Sequence, residues 1–161
     1  MTKTDKSKHN ICVAPIKRST FKPYNYRWTK FYESNDEFSY LDLELNLLEE
    51  ELIICSMVID SDNYSVLTTQ RLITNEKGIK SIGDTTGAIL KRTGDFKGLN
   101  KESVTFGFLK LEIGTEIKYF IETGKASMIM VHGIRTLIKT QQMTVKNIEN
   151  VTRAWSKQNN N

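Results

Sequence analysis

The chain is 161 residues long, with 39% hydrophobic residues, 26% charged residues and a formal charge of +4 from 23 basic and 19 acidic side chains. This is the length of one domain with or without a tail, and the composition is too apolar for a wholly disordered chain. The longest near-apolar run, Leu52 to Ile59, is far short of the roughly 20 residues needed to cross a bilayer, and the polar start MTKTDKSKHN is followed by no apolar h-region, so a cytoplasmic location is expected.

The modest net charge conceals segregation. Residues 1–30 carry eight bases and one acid (+7), and residues 31–62 carry ten acids and no base (−10). Residues 63–101 hold seven bases against three acids (+4), and residues 102–161 eight against five (+3). A basic arm therefore adjoins an acidic belt, either folding back over its own domain or serving an anionic partner.

Residues 1–20 lack periodicity and are rich in Lys, Ser and Thr, which predicts a loose arm. Eight of the fifteen aromatics follow between Phe21 and Tyr40. Lys17, Arg18, Lys22, Arg27, Trp28 and Lys30 stand among or just before them as candidates for contact with nucleic acid or an anionic membrane. Docking of these rings onto the body is the alternative, because so aromatic a segment is costly to leave in water.

Leu41 to Leu47 alternate as in a strand, while Leu41, Leu45 and Leu48 share a helical face, so Tyr40–Glu51 stays open between the two. Glu49, Glu50 and Glu51 read as a solvated edge. Leu52–Ile59 predicts a strand, Asp60–Asn63 a turn, and Tyr64–Thr74 a second strand, making a hairpin with a four-residue connection. Residues 75–101 hold five of the nine glycines and six bases, Lys77, Lys80, Lys91, Arg92, Lys97 and Lys101. Short strands at Ile79–Ile82 and Ala88–Leu90 with a loop over Gly94–Asn100 are expected there.

Val104–Ile113 and Glu116–Thr123 predict two longer strands joined at Gly114 and Thr115, with Phe106, Phe108 and Lys110 facing one way and Leu109, Leu111 and Ile113 the other. The period then changes to that of a helix from about Lys125 to Gln142, with Ala126, Ile129, Met130, Gly133, Ile134, Leu137 and Ile138 on one stripe. Val145, Ile148, Val151 and Trp155 extend a helical period into a polar tail.

No catalytic signature accompanies these elements. His9 and His132 are isolated, Cys12 and Cys55 belong to no CxxC pair, and Cys55 reads as a small core residue. Thr123–Ser127 resembles the end of a phosphate loop, but the first glycine of that motif would fall at Tyr119. No cofactor, metal site, enzymatic activity or small-molecule substrate is expected.

Leu48-Glu49-Glu50-Glu51-Leu52-Ile53-Ile54, Ser65-Val66-Leu67-Thr68-Thr69-Gln70-Arg71-Leu72-Ile73, and Lys118-Tyr119-Phe120 followed by the Ala126–Ile138 helix carry a family resemblance. Over residues 45–142 the chain resembles the bacterial pleckstrin-homology-like domains, the short group similar to GRAM domains. The resemblance implies a mainly β, α+β fold: a bent antiparallel barrel or sandwich capped by a C-terminal amphipathic helix. It divides the chain into an arm (1–40), a domain (41–142) and a helical extension with a polar tail (143–161). The basic pattern of phosphoinositide-binding members is missing, since Leu52–Thr69 contains no base. The implied function is a noncatalytic binding or scaffold module that contacts a protein partner or self-associates as a homo-oligomer. Arg71 and the six loop bases are its candidate contacts for a partner or a lipid, and peripheral binding to an anionic membrane and nonspecific nucleic-acid binding by the arm are the alternatives.

Overall fold

The first element described follows a Thr. In a computed structural model of the chain, which describes residues 4–142 and 153–154, helix α1 spans Asp5–Ser19. Thr4 caps it by accepting the Ser7 N–H at 3.1 Å. Asp5 in its first turn and Lys17 and Arg18 in its last complement the helix dipole. The loose arm expected here is therefore corrected. His9, Cys12, Val13 and Ile16 are buried at helical spacing. A fifteen-residue helix with an interior proline, Pro15, is marginal alone, and packing against the C-terminal helix sustains it.

Five strands then build one antiparallel sheet in chain order: β1 (Thr29–Phe31), β2 (Ile53–Asp60), β3 (Asn63–Thr68), β4 (Arg71–Glu76) and β5 (Ile79–Asp84). A second antiparallel sheet contains β6 (Ile89–Thr93), β7 (Val104–Lys110) and β8 (Glu116–Glu122). Two expectations change. The β2–β3 connection is only Ser61-Asp62, where Asp60 Oδ1 accepts the Asp62 N–H at 2.8 Å. The Tyr64–Thr74 run is divided into β3 and β4, because Thr68 Oγ1 accepts the N–H groups of Gln70 (3.1 Å) and Arg71 (3.0 Å) and folds the chain back.

Helix α2 (Ser127–Gln142) follows a short 3-10 turn over Gly124–Ala126, and every residue of its expected stripe is buried. Gly133 lets it approach the larger sheet closely: a Cβ there would stand 3.0 Å from Cys55 Sγ and 3.3 Å from a Leu67 methyl. Strand β8 lies against β2, β3, β4 and β5, so the sheets stack, and no closed barrel forms among the described residues. The core they share with both helices includes Cys55, Leu67, Leu109, Ile121, Ile134 and Leu137. Leu109 and Leu111 are buried as expected, whereas Ile113 is exposed in the turn after β7.

A second cluster lies around Tyr32, Ile53, Val58, Tyr64, Val66 and Ile73. The ambiguous leucine segment covers it as neither strand nor regular helix: Leu41–Leu43 make one 3-10 turn, Leu43 is buried and Leu41 is exposed. The helical continuation expected from Val145 to Trp155 lies outside the described residues. Among the described residues, no helix is long and apolar enough to cross a membrane.

Candidate functional site

The acidic belt is not uniformly a solvated edge. Glu49 and Glu50 are exposed, but Glu51 is buried where the chain enters β2. Arg71 Nε donates to Glu51 Oε1 at 2.8 Å and an Arg71 terminal nitrogen to Oε2 at 3.2 Å. Thr68 Oγ1 (2.5 Å) and the Leu48 N–H (2.7 Å) donate to the same carboxylate. Burial raises the pKa of Glu51, but the hydrogen bonds from Arg71, Thr68 and Leu48 outweigh it and hold the group below the ordinary carboxylate value. Arg71 also donates to the carbonyls of Leu45 and Asn46. The pair is a mostly buried clamp on the leucine segment, and Arg71, expected as a contact for a partner or lipid, is occupied within the fold.

The arm candidates are dispersed. Lys17 pairs with Glu33, the Arg27 guanidinium lies 4.3 Å from the centre of the Trp28 ring, and Lys30 sits 5.2 Å from that of Tyr40. Lys22 is exposed beside Phe21, itself 75% exposed. Arg18 closes α1. Tyr26, Trp28 and Phe31 pack on the core, and the N–H groups of Arg27 and Trp28 with Thr29 Oγ1 all donate to Glu122. Tyr26, Trp28 and Phe31 are fastened to the body and Phe21 stands apart from them in solvent, so these rings form no continuous stacking face.

Buried titratable groups are likewise engaged in structure. His9 Nε2 reaches the carbonyls of Tyr32 (2.8 Å) and Ile53 (3.1 Å), and desolvation lowers its pKa despite those bonds. Burial pushes both thiols, Cys12 and Cys55, above the usual range, opposite to what a reactive cysteine requires. No cluster of three metal-ligating side chains exists among the described residues.

The loop bases do not converge on one site. Lys77 occupies the β4–β5 turn, Lys80 is on β5, Lys91 and Arg92 are on β6, and Lys97 and Lys101 are in the loop before β7, all exposed. The strand edges differ from one another. β1 is only three residues long. β6 is interrupted by a register shift between Leu90 and Arg92 and carries two adjacent bases. β8 lies against the larger sheet, with its Phe120 N–H donated to Ser65 Oγ at 2.8 Å.

β5 differs from all three. Its six residues pair with β4 without a shift, from Arg71↔Asp84 to Glu76↔Ile79, and its other side has no strand among the described residues. Ile79 is 74% and Ile82 53% exposed. The sequence predicted a strand here but not its role, because an edge is a property of the sheet order. Compared with known proteins, the chain matches no family model, no curated protein and no solved structure.

Proposed function

We propose that this protein is a noncatalytic scaffold module of pleckstrin-homology-like build that self-associates by pairing β5 with β5 of a second copy. The observation carrying this reading is the unshifted edge with Ile79 and Ile82 in solvent. An antiparallel pairing centred on Ile82 sets Ile82 against its own copy and Lys80 against Asp84 of the other chain, twice across the two-fold. Opposite charges at facing positions favour that register. The same operation on β6, centred on Lys91, would set lysine against lysine.

Size-exclusion chromatography with light scattering on the full chain tests the pairing. A mass rising from 18.5 kDa toward twice that value with concentration is expected. Ile82→Lys should return the monomer. Lys80→Glu should weaken the dimer and Lys80→Glu combined with Asp84→Lys should restore it. A monomer at every concentration would remove self-association.

A further inference from the structure

A cleft of 180 Å³ lies between the smaller sheet and α2, remote in the topology from β5. Its walls are apolar at Leu90, Phe108 and Val131 and cationic at Arg92 and Arg135, with Lys91 beside them. The Arg92 guanidinium rests 4.1 Å from the centre of the Phe108 ring, which holds a charge over an apolar floor. Its nearest acid is Glu116, at 3.6 Å, and both side chains are about half exposed, so this pair neutralises little.

Tyr119 supplies the second observation. It is 1% exposed, lines the cleft, and its hydroxyl has no hydrogen-bond partner among the described residues. The ring is buried while the hydroxyl opens onto the cleft, where it is free to donate to a bound acceptor. Its place is set by Gly107, directly opposite it on β7, where an added Cβ would overlap the ring at Cζ and the hydroxyl. Burial pushes this phenol up to about 12, with the Arg135 charge opposing, so it remains a donor at neutral pH.

We infer that this cleft binds a small organic oxyanion, a phosphate monoester or carboxylate on a short apolar body, with Arg92 and Arg135 facing the charge and Tyr119 donating to it. A volume of 180 Å³ lies below the roughly 300–1,000 Å³ of clefts for drug-sized ligands, which suits a small ligand. The apolar body meets Leu90, Phe108 and Val131. This inference is independent of β5 pairing, since it reads ligand binding and not mass.

The test is a titration of the 15N-labelled full chain with phenyl phosphate, followed by amide shifts, with inorganic phosphate in parallel. Saturable shifts around residues 90–93 and 131–135 are expected, with a dissociation constant on the order of 1 mM for so small a ligand. Inorganic phosphate should bind several-fold more weakly. Tyr119→Phe, which removes only the unpartnered hydroxyl, should retain the native spectrum and weaken binding about tenfold. Arg135→Gln should do the same, while Lys97→Gln, outside the cleft, should change nothing. No saturable binding, or equal weakening by Lys97→Gln, would overturn the site. Vesicles of phosphatidylserine in phosphatidylcholine separate the two sources of the anion. Co-sedimentation lost in Arg135→Gln would support the same oxyanion chemistry on a lipid headgroup. Vesicle binding indifferent to Arg135→Gln, without phenyl phosphate binding, would refute it.

Discussion

β2 and β5 belong to one sheet and both have isoleucines in their sequences, yet six of the eight residues of β2 are buried and five of the six in β5 are exposed. β2 has a strand on each side, and both helices pack against it. β5 has β4 on one side and no strand on the other among the described residues. Burial here follows the number of neighbours, and apolar composition follows only loosely. Ile79 and Ile82 stand in water at a regular edge, one strand away from Arg71 of the buried clamp, which pairs with Asp84.

The sharpest way to break this contrast is at the β2 entry. Glu51→Ala strips Arg71, Thr68 and the Leu48 N–H of a shared acceptor, and should cost about 3 kcal/mol of folding stability, read by urea denaturation. A loss under about 0.5 kcal/mol would mean that the clamp is dispensable. Gly133→Val comes next, at about 2 kcal/mol, since its Cβ meets Cys55 and Leu67 where α2 crosses the sheet. Thermal unfolding should show a lower midpoint, and an unchanged one would deny the close approach.

A pH series distinguishes the two regions without altering volume. His9 has a lowered native pKa against an ordinary value of 6.5, so below that pH the unfolded chain takes up protons that the native state resists. Stability should therefore fall as pH drops through about 6.5 and below, and His9→Gln should flatten that part of the curve. His132, also lowered by burial with Arg135 and Arg18 adding to the effect, contributes with the same sign and should remain in the His9 variant. Glu51 adds stability that is whole above its ordinary 4.5 and is lost as pH falls through its lower native value. A His9→Gln curve that overlays the parent would break the assignment. The smallest effect is at the open edge: Ile82→Lys should change monomer stability by under about 0.5 kcal/mol while abolishing pairing. A large loss of stability would show that Ile82 belongs to the core.

Parts of this were legible in the sequence. The stripe from Ala126 to Ile138 identified α2 and its buried face, since a period near 3.6 is written locally. β-branched residues bounded by Asp, Asn and Gly identified β2, β7 and β8. The spacing of His9, Cys12, Val13 and Ile16 was equally readable, but the polar composition of the arm masked it, and only α2 makes that helix worth forming. Gly107 held another signal. Counting back from the Gly114 turn sets it opposite Tyr119, which is how a ring comes to lie over the strand.

The sequence by itself determined α2, the strands β2, β7 and β8, and which segments carry charge, because those properties depend on neighbours a few residues apart. Tertiary structure decided the functions of the same residues. It made Glu51 a buried acceptor while Glu49 stayed in water, brought Arg92, Tyr119 and Arg135 to one cleft from three elements, and left β5 rather than β2 at the edge. Desolvation, convergence and edge position are set by which distant strand or helix arrives alongside, and that is specified only when the sheets stack and the helices close over them.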